Sequence, residues 1–211
     1  MTDTYDVCRA KGSVRARWVR DGSESVAFEA DNMMSYSAAS ALAAAYGGDT
    51  GKVPRYIGFL YGSGDPAALP PITRDMDWQS VREMAASVLG NVQVANFSRK
   101  PSIGTAGDGR NDSVESGGGP YSDNVVEFHA VTRSGFDGAY GEDTSESSRF
   151  AGPLKSGDKI FRAVLLGDGD LCGDGSYRYT VLAMVDMANG GSYREKPEDY
   201  ELALDWRVTF K

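Results

Sequence analysis

The sequence predicts a mainly β protein, an antiparallel β-sandwich or jelly-roll-like module with two short helices and long loops. Three observations carry this. Apolar and polar residues alternate with period two through several segments, the pattern of half-buried strands. The 26 glycines are scattered between those segments with no G-X-Y period, which excludes collagen and points to many turns. Helix-like stretches do not alternate regularly with strands, which argues against Rossmann and TIM-barrel architectures. With 211 residues and 41% hydrophobic content, one substantial core is affordable, and a single β-rich domain over 1–211 is expected.

Residues 12–31 read as a hairpin. Val14, Ala16 and Trp18 alternate with Arg15, Arg17 and Val19, Asp21-Gly22 supplies the turn, and Val26, Phe28 and Ala30 return. The apolar face is expected to be buried, with the arginines in water or against acidic neighbours. Residues 35–46 are alanine-rich, Ser35 can cap them and Gly47-Gly48 ends them, so a short helix is expected there. Residues 56–61 form a compact apolar strand, and Gly58 inside it points to a bulge or a close contact. Pro66, Pro70 and Pro71 keep the next linker extended. A second helix is expected over about 77–89. Asp75 or Asp77 caps it, Val81, Met84, Ala85 and Val88 lie on one face, and Gly90-Asn91 stops it.

A further strand is expected from Val92. Residues 98–124 are rich in Gly, Ser and Asp without any period, and are expected to be one long flexible loop that reaches another molecule. Residues 125–132 read as a strand and 133–149 as another loop. Residues 159–166 and 177–187 form a hairpin whose two faces are both largely apolar, so it is expected to be central. The last strand, 201–210, alternates Leu202, Leu204, Trp206, Val208 and Phe210 against Ala203, Asp205, Arg207 and Thr209.

Thirty acidic against 22 basic residues give a net charge of −8, which repels nucleic acid and anionic membrane at long range. The N-terminus is polar and charged, so no secretory leader is expected, and no run approaches a membrane span. Cys8 and Cys172 are expected to be free thiols in a reducing compartment.

Few residues carry readable chemistry. His129 shares a strand face with Glu127, but no G-x-S-x-G elbow or placed nucleophile accompanies it, so packing or surface hydrogen bonding is the expected role. One histidine and two cysteines exclude multi-histidine and four-cysteine zinc sites. Asp168, Asp170 and Asp174, with Gly173, partly mimic a calcium loop at positions 1, 3, 7 and 6. Cys172 at position 5 and Tyr179 at position 12 break the pattern, and an acidic hairpin loop is the plainer reading. The glycines at 104–109 and 117–119 do not fit a phosphate-binding loop. Tyr121, Phe136 and Tyr140 flank the long loops and are the candidates for a sugar-stacking surface. No cofactor is expected.

Two stretches carry a family likeness. One is Asp31-Asn32-Met33-Met34 with the small-residue helix and Tyr56-Ile57-Gly58-Phe59-Leu60-Tyr61-Gly62; the other runs from Tyr200 to Phe210 and contains Trp206-Arg207. Together they resemble structural proteins of tailed bacteriophage virions, especially tail, fibre or appendage components. The resemblance implies a non-enzymatic virion component, assembled in the host cytoplasm, whose partners are other virion proteins and copies of itself. It implies no catalytic residues. The alternative expectation is a carbohydrate- or receptor-binding β module.

Overall fold

A computed structural model of the chain describes residues 10–48, 53–96, 115–116, 125–132, 156–171, 177–188 and 192–210. In chain order the elements are β1 (Ala10–Arg20), β2 (Ser23–Met34), α1 (Tyr36–Tyr46), β3 (Pro54–Gly62), a 3-10 turn (Pro66–Ala68) and α2 (Trp78–Ser87). There follow β4 (Gly90–Asn96), β5 (Glu115–Ser116), β6 (Val125–Thr132), β7 (Lys159–Leu171), β8 (Tyr177–Asp186) and β9 (Glu201–Phe210). The protein is thus mainly β with two short α-helices, as the alternation predicts. The expected loop at 98–124 lies outside the described residues except for β5, and the expected loop at 133–149 lies wholly outside them.

The nine strands form one antiparallel sheet in the order β4-β3-β7-β8-β2-β1-β9-β6-β5. This differs from the expected pair of separate sheets. The long β2 passes its C-terminal end to the other half, where Met33 pairs with Met184 and Met34 with Ala183. That two-pair seam makes the backbone ladder continuous, and the sheet curls into a half-barrel in which β4 comes close to β6. Twist and bulges supply the curl.

The β1–β2 turn places Asp21 at φ 48° and Gly22 at φ 78°, the left-handed pair whose twist matches a two-residue hairpin. Beyond it Arg17 pairs with Val26 but Ala16 with Phe28, so Ala27 is an extra residue. The bulge puts Ala27 and Phe28 in the core and leaves Val26 53% exposed, a correction to the simple alternation that buried Val26. A second correction concerns β7. Gly167–Leu171, expected to open a loop, continue the strand, with Asp170 paired to Arg178 and Leu171 to Tyr177. Gly169 permits this, because a Cβ there would lie 1.3 Å from the Arg178 carbonyl oxygen. Gly58, by contrast, marks no bulge. Its register is unbroken, and the missing Cβ leaves room for Val92 and Leu166.

Side chains pack on both faces of the sheet. Inside the curl, Val14, Ala16 and Trp18 of β1 meet Leu202, Leu204, Trp206 and Val208 of β9, with Phe59, Leu165 and Val185 from the other half. On the outer face of β3, β4, β7 and β8, helix α2 lays down Trp78, Val81, Met84 and Ala85 against Leu60, Val92, Phe161, Val164 and Met184. Asp77 caps α2 by accepting from the Ser80 N–H at 2.8 Å. The helix stops at Ser87, short of the expected Gly90-Asn91. Leu89 adopts φ 49° and Gly90 already belongs to β4, where a Cβ would strike the Tyr61 carbonyl.

Candidate functional site

The residues singled out in the sequence are not gathered in one place by the described structure. Tyr121, Phe136, Tyr140, Asp174, Cys8 and Cys172 lie outside the described residues. His129 sits in β6 opposite Asp205, and Glu127 opposite Arg207. Asp168 and Asp170 stand in β7 rather than in a free loop. The Asp168 carboxylate is engaged by Arg55 Nη1 at 2.8 Å and accepts from the Tyr56 hydroxyl at 3.1 Å, while its carbonyl accepts from Thr180 Oγ1 at 2.8 Å. Those contacts pin β3 and β8 to β7. Among the described residues, no three His, Cys, Asp or Glu side chains converge to hold a metal.

Two other charge groups tie elements together. On the outer face of the hairpin, Arg17 bridges Glu24 of β2 and Asp205 of β9, the latter at 2.8 Å. Burial works against its charge, but the hydrogen bonds and charges of its two acidic partners outweigh that and raise its pKa. The expected meeting of the arginine face with acidic neighbours is therefore present at Arg17. Under α2, Arg162 is 2% exposed. Its guanidinium donates to the Pro70 carbonyl and lies 2.9 Å from the Met84 sulfur, with Asp186 at 3.7 Å. Tyr193 donates to the same Asp186 carboxylate at 3.2 Å. Burial pushes the Tyr193 hydroxyl pKa up to about 12, and the hydrogen bond to Asp186 and its charge act in the same direction.

An apolar pocket lies at the seam. Ser35 builds it. Its Oγ caps α1 by accepting from the Ala38 N–H at 3.2 Å, and it lies 2.6 Å from the Val181 carbonyl and 3.0 Å from that of Leu182, to which it donates. Its own N–H donates to the Leu182 carbonyl at 2.9 Å. One buried serine thus ends β2, starts α1 and fixes the helix over the interior of the half-barrel. Between α1 and the sheet remains a cavity of about 160 Å³. Ala38, Ala41, Phe128, Leu165, Leu182 and Val208 form its buried floor, and the half-buried Met34, Leu42, Val53 and Pro54 form its rim.

The alanine-rich helix α1 was legible in the sequence, but the pocket was not. Its walls come from β2, α1, β3, β6, β7, β8 and β9, and only the tertiary fold brings them together. Comparison with protein-family models, curated proteins and solved structures finds no match to this chain.

Proposed function

We propose that the chain is a non-enzymatic structural component of a tailed-bacteriophage virion, in its tail or an appendage, that acts through contacts with copies of itself and with other virion proteins. The observation that carries this reading is where the long connections attach. The stretches 97–124, which contains β5, and 133–158 lead into and out of the two ends of β6, the strand beside the two-residue β5 at the margin of the sheet. By contrast, β1 joins β2 through two residues. A body whose longest connections flank the strands at one margin of its sheet suits a subunit that docks by that margin. The two halves of the half-barrel wrap one inner core, and salt bridges such as Arg17–Asp205 hold strands rather than ligands.

Light scattering coupled to size-exclusion chromatography, followed by negative-stain imaging, tests the proposal. A defined symmetric oligomer is expected. Replacing residues 98–113 by a short Gly-Ser connection, which leaves β5 in place, is expected to reduce it to monomers with an unchanged circular dichroism spectrum. A monomer at all concentrations, for wild type, would overturn self-assembly and shift weight to glycan binding, which a glycan screen would then read.

A further inference from the structure

We propose that the pocket under α1 is a binding site for one small, uncharged hydrocarbon, of about the size of benzene or toluene. This goes beyond the structural role above and does not depend on it. The lining determines the chemistry. All ten residues around the cavity are apolar and its wall carries no polar surface. A water molecule needs two to four polar partners to be held, so the cavity has nothing with which to hold one. A charged or strongly polar ligand would be stripped of water with no partner in return. A hydrocarbon loses only unfavourable hydration and gains the dispersion contacts that the empty space forgoes.

Size follows from the volume. The cavity measures about 160 Å³. Dry apolar cavities of about 150 Å³ accept benzene, whereas drug-sized ligands need roughly 300 Å³ or more. Access follows from the burial pattern: the six floor residues are buried, whereas Met34, Leu42, Val53 and Pro54 are half-buried, so the pocket is reached from the side of these four. The position adds a consequence. Met34 belongs to the two-pair seam and Leu182 adjoins it, while Phe128 and Val208 come from the strands β6 and β9 beyond β1. An occupant therefore touches both halves at the place where the backbone ladder between them is shortest, and should stabilise their closure.

The test uses the full chain and toluene as probe, read by methyl NMR and by thermal melting. Toluene near aqueous saturation is expected to shift the methyl signals of Leu165, Leu182 and Val208 selectively and to raise Tm by about 2–4 °C. Benzoate, the same ring with a charge, is expected to do neither. Ala41→Leu and Ala38→Val each fill the pocket from α1 and are expected to abolish the toluene response. No methyl shifts in wild type, shifts spread over the whole molecule, an equal response to benzoate, or a response that survives in either folded variant would each overturn the proposal. The wild-type NMR arm decides the matter even if a variant does not fold.

Discussion

Arg162 is the most deeply buried charged side chain among the described residues and lies between α2 and the sheet, so replacing it separates what its charge does from what its stem does. Burial lowers its pKa, and the opposing effects of Asp186 and Tyr193 do not make up the difference. The ion pair is therefore a poor offset for desolvation, in line with its length of 3.7 Å and with an Asp186 side chain that is 41% exposed. Arg162→Met keeps an unbranched apolar stem against Met84 and removes the charge. It gives up a hydrogen bond from its charged guanidinium to the carbonyl of Pro70, worth about 1.5–3 kcal/mol, and regains the cost of burying that charge. Pro70 is exposed, so water can replace that donor. Asp186 retains Tyr193.

The net change for Arg162→Met is expected to lie within about 1 kcal/mol of wild type. Arg162→Ala also loses the buried stem, at about 0.8 kcal/mol per methylene plus the cavity left behind, for a cost of about 2–4 kcal/mol. Asp186→Asn, at a partly exposed site, is expected to cost less than about 1 kcal/mol. Urea unfolding with linear extrapolation, followed by tryptophan fluorescence, measures all three. A methionine variant as unstable as the alanine variant would refute the argument, because the guanidinium itself would then be the stabilising group.

Three further outcomes follow from other parts of the fold. Ser35→Ala removes the cap of α1 and its bond to β8 together and is expected to cost about 1–3 kcal/mol, with hydrogen exchange rising first in α1; an exchange pattern unchanged in α1 would refute its role as the junction. Gly169→Ala drives a Cβ into the Arg178 carbonyl and is expected to lower Tm by several degrees or to prevent folding, whereas an unchanged Tm would show that β7 does not continue through residue 169. The Tyr61 hydroxyl, only 6% exposed as a residue, is pushed up to about 12 by burial and then by Asp158. Its stabilising contribution is fully present below the unfolded value of about 10 and is lost as pH rises from there through about 12, on the order of 2 kcal/mol in all. Tyr61→Phe should flatten the fall in stability across that window, and an unchanged fall would assign it to other groups.

Local pattern was enough to place most elements. Alternation located β9 with its inward Leu202, Leu204, Trp206 and Val208, and the i, i+3, i+4, i+7 spacing located the buried face of α2, because each of those signals is contained within one segment. Capping chemistry located Ser35 and Asp77 for the same reason. What alternation could not reveal was where the count slips. The extra Ala27 exposes Val26, and the glycine-permitted continuation of β7 turns Asp168 and Asp170 from loop ligand candidates into strand residues, one of them paired with Arg55. A bulge depends on the partner strand, which the local pattern does not name. The seam between Met33-Met34 and Ala183-Met184, and the pocket beside it, were further out of reach. Residues from seven elements line that pocket, and each of them reads, within its own segment, as an ordinary core residue. The sequence by itself determined most of the residues that leave water and the local shape of most segments, though not where a bulge or a glycine shifts the count. The tertiary structure decided which of them face one another, because that depends on registers and closures between segments far apart in the chain.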